Sequence, residues 1–386
     1  MRDLDYSSVW DRLEERAPAL VEEALRRRSE ADKLMDELMG EPVERRRALL
    51  DEARFQTYDL VESLLEESQA AQIQDPERAV QSAEAAACLA AHLPEDEYPV
   101  GSAVARAGYL WGNALRLAGA WEAADRVFAD AASSLDDPFD RAVFCRGLAL
   151  LRWEQGRLDE AMALLHHASS LFEEDELAAE SADCLLLLGL IHAERGDPCQ
   201  ALFPLLCARA TADPGLRPWL SVRAGFTLAA CYAEIGETKK ARAALADTVR
   251  LYPLVRDADE VLCAFRLEAH VRARVGDPRE AENLLEGLRR KLAEQSRVPE
   301  LALVSIDLAL VLAESGREGE IGRMAEEIES RNFARPGGDL AAHALRKLAT
   351  EIRLGRDPRA TAVNAATHLR RTLRSRGLRV EPLPFA

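Results

Sequence analysis

The chain has 386 residues, 48% of them apolar and 5% aromatic, and a formal net charge of −17. This is enough apolar material for a large core, yet no apolar run approaches the roughly 18 residues that a membrane helix needs. The acidic excess argues against a nucleic-acid partner contacting the surface generally, while leaving room for a local basic groove.

The N-terminus, MRDLDYSSVW, lacks the apolar centre of a signal peptide. Seven cysteines, an odd number, form no C-x-x-C pair, so reduced thiols in a cytoplasmic protein are expected. Alanine, leucine, glutamate and arginine dominate nearly every segment, and all four are strong helix formers. Residues 1–54 are expected to be an N-terminal helical cap, charged along RRRSEADKLMDELMGEPVERRR and broken at Gly40 and Pro42. Terminal units of a helical array must present a polar outer face. A partner-binding or dimerising arm is the alternative.

From residue 55 to 370 a repeat governs the chain. Gly156, Gly196, Gly236, Gly276 and Gly316 follow one another at intervals of 40 residues, with Gly119 placed 37 before the series and Gly355 placed 39 after it. Seven residues before each turn glycine stands a small residue, seen in Gly112, Ala149, Gly189, Ala229, Ala269 and Ala309. Five after it stands another, in Ala124, Ala161, Ala201, Ala241 and Ala281, and four further on a bulky one, in Phe128, Leu165, Leu205, Leu245 and Leu285. Small residues let paired helices approach to the 8 to 10 Å of close packing. Each unit then reads as a helix of about 16 residues, a glycine turn where positive φ is cheap, and a second antiparallel helix. Pro198 and Pro278 open second helices at the position that tolerates proline. Towards the C-terminus the pattern decays: RNFARPGGDL, from Arg331, reads as a longer loop, and residues 371–386 as a tail.

The pattern resembles the tetratricopeptide repeat, whose unit carries small residues, an aromatic and a turn glycine in this order. YLWGNALRLAGAWEAADRVFADA, from Tyr109, and TLAACYAEIGETKKARAAL, from Thr227, carry the likeness best. The usual unit has 34 residues, so the 40-residue spacing is a departure. The added residues are either one and a half helical turns or a longer connector. Forty-residue versions look like those of large bacterial transcription activators and peptide-pheromone sensors. DEARFQTYDLVESLLEES, from Asp51, and DPERAVQSAEAA, from Asp75, look like the entry segment of uncharacterised bacterial tetratricopeptide proteins. The expected fold is an all-α, right-handed solenoid of about seven or eight antiparallel hairpins.

The resemblance implies that first helices line a concave face, and counting back from each glycine fills it. The candidate partner-binding residues are Arg106, Tyr109, Asn113, Arg116, Arg146, Trp153, Arg223, Phe226, Arg266 and His270. Arginine offers a planar fork to carboxylates and aromatic faces bury apolar side chains at low entropic cost, so an acidic or carboxylate-ended peptide fits such a surface. The competing reading is that Glu154, Glu194, Glu234 and Glu268 neutralise the arginines and that Trp153 and Phe226 pack against the next unit.

Catalytic and metal patterns are missing. There is no phosphate-binding glycine loop, no H-E-x-x-H and no zinc-type cysteine pair. His166 and His167 are adjacent and so point about 100 degrees apart on a helix. Cys199 and Cys207 stand about 12 Å apart along one helix, too far for a disulfide between them. Cys145, Cys184, Cys231 and Cys263 recur at similar places in first helices, as small core residues would. The sequence therefore points to a non-enzymatic protein- or peptide-binding scaffold without cofactor, a regulatory adaptor for a bacterial signalling, transcription or defence partner. The alternative is a small-peptide sensor that changes curvature on binding.

Overall fold

The computed structural model describes the backbone of residues 7–72, 75–94, 100–132, 135, 137–313, 317–331 and 338–354. The C-terminal tail expected at 371–386, Gly316 and Gly355 lie outside these residues. The described residues form helices and connectors, with no strand among them. The chain divides into two compact units, residues 1–140 and 141–386. The boundary expected at residue 54 lies inside the first.

The first unit holds α1 (Ser7–Gly40), α2 (Val43–Leu50), α3 (Tyr58–Ala71), α4 (Pro76–Ala90), α5 (Val100–Leu117) and α6 (Trp121–Ala131). Thr57 caps α3 by accepting from the Leu60 amide, and Asp75 caps α4 by accepting from the Arg78 amide, with Pro76 following it. Such caps satisfy amides that the first helical turn leaves unpaired. One face of α1 buries Ala31 and Leu38 in a core shared with Phe55, Leu60, Leu64, Leu89 and Leu110. N-terminal to Ala31, the described side chains of α1 lie at the surface.

α7 (Pro138–Glu154) leads into the second unit, which continues through α8 (Leu158–Glu174), α9 (Ala178–Glu194), α10 (Pro198–Thr211), α11 (Pro218–Glu234), α12 (Thr238–Val249), α13 (Ala258–Arg274), α14 (Pro278–Glu294), α15 (Val298–Ala313), α16 (Glu318–Arg331) and α17 (Gly338–Arg353). Odd-numbered helices from α7 to α15 are first helices, and the turn glycine follows each. Gly156, Gly196, Gly236 and Gly276 have φ between 78° and 90°. The residue after each donates its amide to the carbonyl five positions back, as in Asp197 to His192 at 3.0 Å and Asp277 to Arg272 at 2.9 Å. That is the glycine C-cap that ends a helix without stranding its last carbonyls.

The 40-residue period survives a change of content. The second helices α8, α10, α12 and α14 have 17, 14, 12 and 17 residues. Their connectors are residues 175–177, 212–217, 250–257 and 295–297, so each helix turn lost is returned as connector and every first helix starts in register. Asp213, Pro214 and Gly215 build the turn after α10, and Pro253 the 3-10 turn Tyr252–Leu254 after α12. Proline has no amide to donate and so favours a break in the helix, although α10 tolerates Pro204 within it. Both options for the added residues, helix and connector, are thus used in one chain.

The small residues do what their spacing predicts. A β-carbon built on Gly189 would lie 2.4 Å from Leu205, and one on Gly112 would lie 2.8 Å from the ring of Phe128. The residue seven before the turn therefore receives the bulky residue nine after it. Ala161, Ala201, Ala241 and Ala281, five after the turn, are fully buried. Gly225, outside the repeat pattern, makes a similar approach to Thr248, whose hydroxyl donates to Ala244 at 2.7 Å. Gly189→Ala gains about 1 kcal/mol of helix propensity, but it overpacks Leu205 at a cost of about 1–3 kcal/mol. Urea unfolding should show net destabilisation for Gly189→Ala and none for Gly287→Ala, where the added methyl meets open space.

Candidate functional site

The face expected to bind a partner is set by the first helices. In the first unit Arg106 on α5 donates to both carboxylate oxygens of Glu62 on α3 at 2.8 Å. Tyr109 packs at the edge of that unit's core. Asn113 and Arg116 are buried, and the arginine donates to the Asn113 amide oxygen at 2.8 and 3.1 Å. Only Arg106 and Tyr109 of this set keep appreciable surface.

In the second unit Arg146 on α7, Trp153 on α7, Arg223 on α11 and His270 on α13 are half-buried. Phe226 and Arg266 are not on the surface at all. Phe226 is fully buried against Val222, Leu267 and Val271, with the Tyr252 ring 6.0 Å away. Arg266 is 3% exposed and its Nε donates to Asp307 on α15 at 2.6 Å. The expectation that these two line a groove is therefore corrected: the positions rotate into the contact between successive first helices, where large side chains fill space. The helical count placed them on the inner face, but it could not see how closely the next helix approaches.

The acidic partners come chiefly from the neighbouring repeat. Arg146 reaches Asp183 on α9 at 3.4 Å, a long contact, with its guanidinium 5.6 Å from the Phe172 ring centroid. Arg217, before α11, pairs with the same Asp183 and with Glu180 at 2.8 Å. Trp153 donates its indole N–H to Glu194 at 2.5 Å, and Arg274 pairs with Glu234. The carboxylates foreseen at Glu194 and Glu234 do meet side chains of this face. Asp183, Arg217 and Asp307 escaped the sequence reading because their partners stand between 34 and 41 residues away. Only the stacking of repeats makes them neighbours, and the one available signal was that distance near 40.

A second buried carboxylate lies in the same unit. Glu268 accepts from the Tyr252 hydroxyl at 2.6 Å and from Arg272 at 2.7 Å. Burial, then the adjacent Glu268 carboxylate, push the Tyr252 hydroxyl well above its ordinary pKa. Its neutral, donating form is thus the one the fold retains. A raised folded-state value gives stability that is full below the unfolded pKa near 10 and declines as pH climbs above it.

The cysteines split by environment. Cys145, Cys184, Cys231 and Cys263 are buried, whereas Cys88 and Cys199 are exposed. Burial pushes the Cys184 and Cys231 thiols up to about 12. Among the described residues, no group of three or more His, Cys, Asp or Glu side chains is placed to hold a metal ion. No helix of the described residues is long and apolar enough to cross a membrane.

No family model and no curated protein matches the chain. Solved structures do. A Rap protein complexed with Competence and Sporulation Factor aligns at TM-score 0.54 and 15% identity, covering 82% of this chain and 87% of that one. Aspartyl phosphate phosphatase F from Bacillus subtilis aligns at 0.53 and 14%, covering 92% and 97%. The apo quorum sensor NprR from B. thuringiensis aligns at 0.52 and 13%, covering 82% and 93%. The fold is an α-solenoid of the tetratricopeptide type. At these identities the likeness is one of architecture, and within the tetratricopeptide-type fold this chain's face is defined by its own residues.

Two outcomes test the placement. Arg266→Ala or Asp307→Ala strands a buried charge and should cost about 3–5 kcal/mol in urea unfolding, and Arg266→Leu with Asp307→Leu should recover most of the loss. Thiol titration of the native protein at mildly alkaline pH should label the exposed Cys199 quickly and Cys88, whose thiol burial pushes up, more slowly, while Cys184 and Cys231 react only after denaturation.

Proposed function

We propose that the chain is a non-catalytic scaffold that holds a peptide or an extended protein segment along the first-helix face of the second unit. Arg146 carries the reading. It is half-buried beside the Phe172 ring, and its carboxylate contact among the described residues, to Asp183, is long, while Arg217 pairs with the same carboxylate. A guanidinium so placed can turn its donors to an incoming carboxylate at small cost, and Trp153 on the same helix supplies an apolar face. An acidic or carboxylate-ended peptide is the ligand chemistry that suits this pair. Arg223 and His270 extend the same row on α11 and α13, and residues 1–54 act as the cap of the array. The role is that of a regulatory adaptor for a bacterial signalling, transcription or defence partner, working in the cytoplasm without a cofactor and without binding nucleic acid.

A second reading, a small-peptide sensor that rearranges on binding, is favoured by the neighbours: one is a Rap protein complexed with Competence and Sporulation Factor, and another is a quorum sensor. The two readings differ in what binding does to the protein, so one titration with two readouts separates them.

Short fluorescent peptides with free and amidated C-termini, titrated by anisotropy, should bind preferentially as free acids. Arg146→Ala and Trp153→Ala should each weaken binding about tenfold or more, as truncating a central contact does. X-ray scattering of the saturated complex should stay unchanged for a scaffold and contract for a sensor. Equal affinity for both peptide forms, undiminished by Arg146→Ala, would sink the proposal.

A further inference from the structure

Most second helices of the second unit turn a charged face to water, and α10 does not. Its solvent-facing residues include Cys199, Leu202, Phe203, Leu206, Cys207 and Ala210, with the polar Gln200, Arg209 and Thr211 beside them. Phe203 is 73% exposed and Leu206 47% exposed. At the repeat-equivalent positions α8 has Asp159, Met162, Ala163, His166, His167 and Ser170, while α12 has Lys239, Arg242, Ala243, Ala246 and Asp247 and α14 has Arg279, Glu282, Asn283, Glu286 and Gly287, none of them a large apolar side chain but Met162. The opposite face of α10 is apolar, since Ala201, Leu205 and Ala208 are buried in the hairpin core and Pro204 is buried beside them in sequence. A helix with apolar side chains on two opposite faces, and polar ones confined to Gln200, Arg209 and Thr211, approaches the pattern of an interior helix. The exposed side of α10 is thus an interior surface in want of a cover.

The pattern of the face indicates the cover. Cys199, Phe203 and Cys207 recur every four residues and form one stripe, symmetric about Phe203, with Leu202 and Leu206 on the stripe beside it. Ion pairs flank its two ends: Arg195 with Asp159 at 2.7 Å and Arg209 with Asp247 at 3.4 Å. An apolar centre inside a polar rim is the anatomy of a protein interface. The chain carries −17 net charge, so two copies repel over most of their surfaces, but screening confines that repulsion to roughly 10 Å at moderate salt. An uncharged, self-complementary stripe is where two such copies meet at least electrostatic cost.

We infer that α10 is the contact helix of a homodimer, packing antiparallel on the α10 of a second copy about a two-fold axis at Phe203. The axis sets Phe203 against its symmetry mate and Cys199 against Cys207 of the other copy, the isologous arrangement of a two-fold contact. A single helix of 14 residues makes a small interface, so the dimer dissociates on dilution.

Light scattering should give twice the chain mass at high concentration and the chain mass after dilution, and added salt should strengthen association. Phe203→Glu should remain at the chain mass at all concentrations, with helix content by circular dichroism unchanged. In a Cys88→Ser background, dioxygen with copper phenanthroline should take two electrons and two protons from a Cys199 and a Cys207 thiol of paired copies and join them as one disulfide. Cys199→Ser or Cys207→Ser alone should abolish that covalent dimer. Chain mass at every concentration for the wild type overturns the inference and leaves the face to a different protein. A Phe203→Glu dimer as stable as the wild type, or cross-linking that survives Cys207→Ser, overturns it equally.

Discussion

The structure depends on how closely two antiparallel helices can approach within one repeat. Gly189 admits Leu205 and Gly112 admits Phe128 at distances that leave no space for a further carbon. Alanine performs the same service at Ala149, Ala229 and Ala269. Because each hairpin closes to the same spacing, the next one can stack on it in the same way, and the pattern propagates. A repeat array has no long-range topology to hold it, so its stability is the sum of such neighbouring contacts. One enlarged side chain at a contact point therefore disturbs two units.

A second layer of interaction joins the repeats to one another. Arg266 with Asp307, Arg297 with Asp259 at 2.5 Å and Arg289 with Glu327 at 2.6 Å link side chains 38 to 41 positions apart. The first of these is buried, where a matched pair holds a register more than it adds stability. The Arg297–Asp259 pair is partly exposed and worth little by itself, whereas Arg289 is buried and its partner Glu327 partly exposed. Each pair joins one repeat to the next, Arg266 and Arg289 reaching forward along the chain and Arg297 back, which makes them markers of stacking order. A surface that reads as basic when arginines are counted on one helix therefore also carries carboxylates from the neighbouring repeat. Arg146 differs from Arg266 in that its carboxylate contact is long, at 3.4 Å against 2.6 Å.

The turn chemistry and the connectors show how the same length accommodates different needs. Glycine with positive φ follows the first helices α5, α7, α9, α11 and α13, whereas Glu176 and Ser296 take a similar conformation at the far turns with φ near 58° and 57°. These are costly for residues with a β-carbon, and both sit in the short connectors 175–177 and 295–297. The long connectors after α10 and α12 use proline instead. The tightest links thus use left-handed backbone where the longer ones use proline and extra length.

The glycine interval of 40 residues, the small and bulky positions around it, and the all-α hairpin architecture were determined by the sequence alone, because they arise from local geometry within each helix pair. Burial of Cys145, Cys184, Cys231 and Cys263 followed from the same periodicity. The fate of each arginine did not. Arg146, Arg223 and Arg266 occupy related places on their helices, yet Arg266 is buried against Asp307 while the others keep some surface. What separates them is the separation of adjacent first helices and the residue that the next repeat presents, and neither quantity is local. Likewise α10 could be recognised as a second helix from its proline and its alanine spacing. That one side of it faces water with phenylalanine and leucine was decided only by the tertiary packing, which selects the side that is buried when both are apolar.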